Sequence, residues 1–575
     1  MTKQTRTSRT NSAKSGKKKK TDKTKLKIIA LGGLEEVGRN MMLLEYGSDI
    51  IIIDMGLQFP EEDMPGIDYI IPDISYLKGK EKNIKGIIIT HGHYDHIGGI
   101  PHLLPRLGMP PLYASRLTRA IIEKRQTDYN HSKKIKINTI NQDSTIKLGN
   151  LKVGFFHVNH NIPDCLGVYV DTPLGRVLHT GDFKIDHSPV NDPPADIAKI
   201  ARICEKGILA ALVDSTNAEV EGNSISEKTI FETLDGIFDK AKGRVFAATF
   251  SSLLSRIQQV FTLSEKYGRK VVVEGYSMKT NVEIAIKLGY LKVDKNTLIS
   301  VKQMRDYPVN RITVMCTGAQ GEDNAVLMRI ANREHRQLRI EKDDTVIFSS
   351  SVVPGNERSV QGLKDILFKQ GAQVIHYKMM DVHTGGHARQ EDLKMLYRLL
   401  RPKYYIPIEG SYFMLKIHAN LIESLGHPAE NIFVAENGQV MEFDQHRAVL
   451  TKKKVPTDYV MVDGLGVGDV GHVVLRDRQM MSADGMFVVI AVIDKKNGQL
   501  ARDVDVISRG FVYMKGSDQL IQEAKKRVRE IISKHSHGTT VNWTYIRNRL
   551  RDDIGQFLFQ KTQRRPMVLP VVTEI

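Results

Sequence analysis

Six consecutive residues, His91-Gly92-His93-Tyr94-Asp95-His96, carry four side chains able to ligate a metal ion. Imidazole nitrogen suits zinc, and an aspartate can serve both as ligand and as proton acceptor. Any single one of the 19 histidines is best read as an ordinary core or surface residue. Four ligand-capable groups directly after the apolar run Ile87 to Ile89 are a different case. In a tight loop, His91 and His93 can project to one side while Asp95 and His96 reach a second ion. Two ions about 4 Å apart need further ligands and a shared carboxylate. His160, before Asn161-Ile162-Pro163, and Asp182, in His179-Thr180-Gly181-Asp182, supply them, with Asp182 as the bridge. Asp54 reads as a supporting carboxylate that orients a histidine or the loop. His157 sits three residues before His160, points elsewhere on its strand and reads as a core residue or as one supporting the ligands from behind.

These residues need rigid elements to hold them. A chain of 575 residues exceeds a single core, which predicts two to four domains. Leu26 to Leu31, Ile50 to Ile53, Ile87 to Ile89, Leu151 to Val158 and Leu166 to Val170 read as buried strands, and Arg176 to Leu178 runs into His179. Polar site residues fall at the strand ends, so residues 26–216 form a first, strand-rich segment. Residues 217–370 alternate strands (Arg244 to Ala248, Lys270 to Val273) with helices (Leu253 to Ser264, Asn281 to Leu288), as a parallel α/β domain does. Short strands at 373–376 and 404–408 flank a helix over Glu391 to Leu400 and return to the first style. The α/β block therefore reads as an insertion, with the first domain resuming over 371–447. A linker is expected over 448–464, around Lys452-Lys453-Lys454 and Pro456.

Residues 465–575 then form a small α+β unit. Strands Met486 to Ile493 and Ala501 to Ile507 join through Asn497-Gly498, a hairpin signal. One helix follows, capped by Ser517 or Asp518, with Leu520, Ile521, Ala524, Val528 and Ile531 in a stripe; a second is capped by Asn542.

Composition narrows the setting. Three scattered cysteines (Cys165, Cys204, Cys316) argue for a reducing, cytoplasmic interior. No apolar run reaches the roughly 20 residues of a membrane-spanning helix, and no secretory leader is expected. The formal charge is +17, of which residues 1–27 hold eleven Lys/Arg and one acid, Asp22. This tail, residues 1–25 with Lys17-Lys18-Lys19-Lys20 at its centre, is expected to be disordered. It reads either as a polyanion-binding arm or as a solubilising extension.

Other signals carry less. Gly466-Val467-Gly468-Asp469-Val470-Gly471 matches a dinucleotide fingerprint, yet His472 to Leu475 reads as a strand where that fingerprint must open a helix. Ser251-Ser252 can cap the next helix or meet a phosphate. Trp543 reads as packing, and Arg547, Arg549 and Arg551 as a solvated face.

The ordered set Asp54, His91/His93/Asp95/His96, His160 and Asp182 resembles the metallo-β-lactamase fold. Asp214 in Val213-Asp214-Ser215-Thr216-Asn217 and His387 in His383-Thr384-Gly385-Gly386-His387 resemble its β-CASP branch. Leu31-Gly32-Gly33-Leu34-Glu35-Glu36-Val37-Gly38, Thr317-Gly318-Ala319-Gln320-Gly321-Glu322, Pro354-Gly355-Asn356-Glu357 and Ser508-Arg509-Gly510-Phe511-Val512-Tyr513 resemble the ribonuclease J family within it. The likeness covers about residues 26 to 575 and implies an αββα sandwich split by an α/β insertion, with RNA threading the cleft between them. It implies 5′-to-3′ exonuclease and endonuclease activity on single-stranded RNA with a 5′-monophosphate, in mRNA decay and rRNA maturation. It further implies hydrolysis by water activated between two Zn2+ ions, Asp95 as ligand and proton acceptor, His387 stabilising charge on the phosphate, and Asp214 orienting His387. A homodimer or homotetramer supported by the C-terminal unit is expected, with the ribosome or an RNA decay complex as further partners.

Two positions depart from the family pattern. Glu409, in Pro407-Ile408-Glu409-Gly410, replaces a zinc-binding histidine, which can shift preference towards Mn2+. Gly385 replaces a serine of the 5′-phosphate pocket, removing a hydrogen bond worth roughly 1.5–3 kcal/mol. The amides around Gly385 and Gly386, with His383 and Ser252, remain candidate substrate contacts. The departures motivate an alternative, a catalytically weak RNA-binding subunit of an active paralogue; a β-CASP DNA nuclease is the other.

Overall fold

Strands rich in Ile, Val and Leu and buried on both faces read as continuous apolar runs, because every side chain meets either a facing sheet or a helix layer. The first strand, Leu26–Gly32, shows this: Ile28 and Ala30 face one core while Ile29 and Leu31 face another. The computed structural model describes residues 24–575 except 62, 130–134, 323–324, 353–355, 496, 513–515 and 536–541. The basic tail expected at residues 1–25 thus lies outside the described residues except for Thr24 and Lys25, as do Pro354, Gly355 and Tyr513.

An eight-stranded sheet runs in the order Ala448–Lys454, Gln439–Phe443, Leu26–Gly32, Met41–Tyr46, Asp49–Ile53, Ile84–Ile88, Leu112–Ala114, Ile137–Thr139. A six-stranded sheet runs Tyr404–Ile408, Ile208–Asp214, Gly175–His179, Leu166–Thr172, Leu151–His157, Thr145–Leu148. Ile28, Leu44, Ile51, Val153, Val168 and Leu212 fill the space between the two sheets. Their outer faces pack on helices that include Arg116–Gln126, Ile197–Cys204 and Gln390–Leu400, giving the expected αββα sandwich. Asp49–Ile53 is parallel to Ile84–Ile88, and Gly175–His179, Ile208–Asp214 and Tyr404–Ile408 are mutually parallel. Parallel strands end at one edge, so Asp54, His91, Asp182, Asp214 and Glu409 reach the same rim.

The insertion is a five-stranded parallel sheet, ordered Lys270–Val273, Ile312–Cys316, Val245–Ala248, Thr345–Phe348, Gln373–His376. Strand Gln373–His376, expected with the second lactamase segment, therefore belongs to the inserted sheet. Helix Glu357–Lys369 delivers it there as the crossover that a parallel neighbour requires. The expected linker 448–464 also proves to be structured. Ala448–Lys454 is an edge strand and Val460–Asp463 pairs with Tyr69–Ile71. The lysine run is the exposed, charged side of a sheet edge.

At the C-terminal end, strands Met486–Ile493, Asp505–Arg509 and Met567–Glu574 form a sheet under helices Asp518–His535 and Trp543–Thr562. The second hairpin strand starts at Asp505, not Ala501, and Ile493 bridges Leu500 near the turn. Asn542 caps the last helix by accepting from Tyr545 N at 3.0 Å, and Trp543 packs on the core. His472 to Leu475, read as a strand, instead opens the helix His472–Asp484, in which only Leu475 is buried. A four-residue apolar run does not separate the two states. The glycines before that helix follow an antiparallel two-residue strand, Gly466–Val467, which is not a dinucleotide-binding βαβ unit. Ser251 and Ser252 do not cap helix Leu254–Lys266, whose N-cap is Leu253. Among the described residues no helix is long and apolar enough to cross a membrane.

Candidate metal centre

Asp182 organises the rim. It follows strand Gly175–His179 through the turn at Gly181 (φ 58°), where Gly181 N donates to His179 Nδ1 at 2.9 Å. Its two oxygens face different partners. Oδ2 lies 3.7 Å from His91 Nε2, 3.6 Å from His160 Nε2 and 4.0 Å from His387 Nε2, while Oδ1 lies 3.2 Å from His96 Nε2. His91 Nε2 and His160 Nε2 each approach His93 Nδ1 to 3.0 Å. Zn–N bonds of 2.0–2.1 Å in a tetrahedral site put ligand nitrogens about 3.3 Å apart, so three lone pairs already converge at nearly that spacing.

Two ligand sets result. His91, His93, His160 and Asp182 have ligand atoms within 4.8 Å of one another, and so do His96, Asp182 and Glu409; Asp95 joins His91 and His96 in a third such group. Asp95 Oδ2 sits 3.6 Å from His96 Nε2. Glu409, held in the left-handed region (φ 57°) with its N–H on Gly33 O, buries Oε2 without a hydrogen-bond partner. An orphaned carboxylate oxygen beside Asp182 is a donor of the kind a cation completes. The residues present therefore fit divalent cations.

Electrostatics point the same way. Burial pushes His91 and His160 well below the ordinary imidazole range and His93 to about 3, leaving neutral rings with free lone pairs. For His96, burial opposes charging, but Asp182, Asp95 and Asp54 outweigh it and hold the ring protonated. Burial, then the neighbouring Asp182, raises Glu409 well above the carboxylate range. The metal-free centre thus keeps protons on His96 and Glu409 where cations would bring positive charge.

Supporting contacts fix the rings. Asp54 Oδ2 takes His96 Nδ1 at 2.8 Å, and its two oxygens accept from Thr90 N and Thr90 Oγ1, both at 2.8 Å. His160 Nδ1 donates to Gly386 O at 2.7 Å, which frees Nε2 for a ligand bond. A Cβ at Gly386 would meet the His160 ring at 2.4 Å, so only glycine allows this approach. The sequence reading missed Asn40, whose Nδ2 lies 3.0 Å from His96 Nε2, and the Gly386 carbonyl. Asn40 carried no motif signal; the Gly385-Gly386 pair did, but for a different role. His157 turns to Pro193 O at 3.0 Å, away from the ligands.

Asp214, at the end of Ile208–Asp214, accepts His387 Nδ1 at 2.8 Å. Burial disfavours charge on His387, yet Asp214 and Asp182 more than compensate and raise it to about 9. The loop carrying His383 and His387 is gripped at its carbonyls. Arg256 Nη1 donates to Val382 O at 2.6 Å, and Asn217 Nδ2 to His387 O at 3.2 Å. Arg256 is itself paired with buried Glu227 at 2.9 Å, and Glu227 with Lys184 at 3.4 Å. A fully buried charge chain thus links the Asp182 segment to the His387 loop. The His383 ring lies 6.2 Å from that of Phe250 at a 42° tilt, with Nδ1 buried and unpartnered, and the partly exposed Ser251-Ser252 turn follows Phe250. Gly385 lies against Asn217 Nδ2.

The fold and this centre define a metallo-β-lactamase-type hydrolase carrying a β-CASP insertion. Family models match in order along the chain: Metallo-beta-lactamase superfamily at 34–230, Ribonuclease J beta-CASP domain at 242–367, Zn-dependent metallo-hydrolase RNA specificity domain at 374–435, and Ribonuclease J C-terminal domain at 473–575. Ribonuclease J2 of Bacillus subtilis (strain 168) is 41% identical over 550 residues, 96% of this chain and 99% of its own. Ribonuclease J 1 of Streptococcus pyogenes serotype M3 is 40% identical over 545 residues, covering 95% and 97%. A crystal structure of a protein of unknown function from Enterococcus faecalis V583 aligns with a TM-score of 0.52 at 16% identity, covering 73% of this chain and 100% of that one, which shows the fold alone. The chain belongs to the ribonuclease J family of metal-dependent ribonucleases.

Proposed function

We propose that this chain hydrolyses phosphodiester bonds of single-stranded RNA at a centre of two divalent cations, acting from the 5′ end and also internally. The observation that carries this reading is Asp182, whose two oxygens turn to separate ligand sets and so suit a shared carboxylate. When bound, the cations supply a lowered pKa for water and a counter-charge for phosphate. Asp95, the ligand carboxylate open to solvent (side chain 36% exposed), is placed to take the water proton. His387, positively charged below pH about 9, presents Nε2 to the same side as Asp182 Oδ2 and would stabilise charge developing on the phosphate. Asp214 holds that ring by its other nitrogen.

The two sets differ in chemistry. Three imidazoles and one carboxylate (His91, His93, His160, Asp182) suit zinc. His96, Asp182 and Glu409, with Asp95 Oδ2 3.6 Å from His96 Nε2, suit an oxygen-preferring ion such as Mn2+. The 5′-monophosphate would lie against His383, Ser252 and the amides of Gly385 and Gly386, with the Gly385 side lacking a hydroxyl donor. Buried Glu409 motivates a second reading, a catalytically weak RNA-binding subunit of an active paralogue.

The test is hydrolysis of 5′-monophosphorylated and 5′-triphosphorylated single-stranded RNA, with single-stranded DNA of the same sequence alongside, in zinc, manganese or magnesium. The expected result is metal-dependent cleavage of RNA, fastest on the monophosphate and absent in Asp182→Ala. Cleavage that survives in Asp182→Ala would remove the proposed bridge. RNA binding without cleavage in every metal would favour the second reading.

A further inference from the structure

Tyr94, between His93 and Asp95 in the chain, is 43% exposed. It faces helix Arg116–Gln126, where the Arg125 guanidinium carbon lies 4.3 Å from the ring centre. Arg125 also lies 5.7 Å from the Tyr129 ring. Its Nη2 donates to Gly98 O at 3.4 Å and Tyr129 OH at 3.3 Å, while its buried Nε has no partner. One residue back on the helix, Lys124 Nζ stands 5.9 Å from the ring of Tyr276, which is 70% exposed. Tyr276 begins helix Tyr276–Leu288 of the inserted domain, which packs on Arg116–Gln126. Asn281 of that helix donates to Ser251 O at 2.9 Å and so ties the far end of the row to the Ser251-Ser252 turn.

Cations and exposed aromatic rings therefore alternate from the neighbour of Asp95 onto the inserted domain. Nothing in the chemistry of the centre needs them, and no acidic side chain pairs with Arg125 or Lys124 among the described residues. Single-stranded nucleic acid offers the complement: phosphates for the cations and base faces for the rings, without demand on sequence. We propose that Tyr94, Arg125, Lys124 and Tyr276 form the track that holds the RNA strand beside the scissile phosphate. The inference rests on the RNA reading above, since it names where that substrate lies.

The test is fluorescence anisotropy of a labelled single-stranded RNA on the full chain in EDTA, as a function of salt, for Tyr94→Ala, Tyr276→Ala and Arg125→Gln. Phe368→Ala, an exposed aromatic elsewhere on the inserted domain, serves as control. Each tyrosine variant is expected to lose about 5-fold or more in affinity with an unchanged salt slope, because stacking releases no counterions. Arg125→Gln is expected to reduce the slope of log affinity against log salt by about 0.7, the value of one phosphate contact on a single strand. Circular dichroism and zinc content after metal loading verify that fold and centre persist in each variant. If wild type binds RNA and all three variants match it in affinity and slope, the track is wrong while the RNA reading stands. If wild type binds no RNA, the RNA reading itself fails.

Discussion

At the scale of single residues, the centre turns on where protons sit before cations arrive. Glu409 is buried, lacks a partner at Oε2 and shares its space with Asp182, so it holds a proton in the metal-free protein. Replacing it with histidine exchanges a hard oxygen for a nitrogen that zinc prefers. Glu409→His is expected to retain more zinc through dialysis, read by elemental mass spectrometry; equal retention would place Glu409 outside the ligand set. His387 offers a pH signature. Its pKa rises from the ordinary 6.5 to about 9 on folding, against burial and because of Asp214 and Asp182. Its contribution to stability is therefore complete below pH about 6.5 and is lost as pH climbs through 9. His387→Gln is expected to flatten that alkaline decline in the melting temperature of metal-free protein. On the proposed role of His387 at the phosphate, the same variant is expected to lose about 10²–10³ in kcat. A variant with an unchanged alkaline slope would show that His387 is not charged in the fold.

At the scale of elements, buried charge joins the apolar packing of Val382 and Ala388 in holding the His387 loop. Arg256 is fully buried, spans from Glu227 to the Val382 carbonyl, and has Lys184 on the far side of Glu227. Removing one partner of such a pair strands the other, at a cost of about 3–5 kcal/mol. Arg256→Met is expected to show that loss in urea unfolding of the metal-free protein. Gln259 Nε2 also donates to Glu227 Oε2 at 2.9 Å, so a loss under 1 kcal/mol would mean that Glu227 is satisfied by Lys184 and Gln259 alone. The element scale is also where patterns misled. Strand Gln373–His376 joined the insertion, Ala448–Lys454 joined the large sheet, and His472–Asp484 became a helix. The first two were settled by the strand each pairs with, and the third by a helix whose first four residues alone do not distinguish it from a strand.

At the scale of the whole molecule, charge distribution becomes the issue. The +17 formal charge is concentrated at the start of the chain, where residues 1–27 carry eleven Lys/Arg against Asp22. Deletion of residues 1–25 is expected to weaken RNA binding more at 50 mM than at 200 mM salt, because each phosphate contact releases counterions. Equal loss at both salts would leave the tail without an electrostatic role.

The sequence by itself determined the ligand types. His91, His93, Asp95 and His96 are adjacent in the chain, and the apolar runs before His91, His160 and Asp182 mark them as strand-end residues. The strands and the βα alternation of the insertion were legible because apolar runs and helical periodicity are local patterns, whereas the sandwich itself entered through the family resemblance. Tertiary structure decided which ligands stand together. Glu409 meets Asp182 across 227 positions of chain because their strands run parallel in one sheet and end at one edge. It also recruited Asn40 to His96 and the Gly386 carbonyl to His160, contacts with no local signature. A side chain records its own chemistry, but the partner that holds it at a fixed angle is chosen by how the sheets pack.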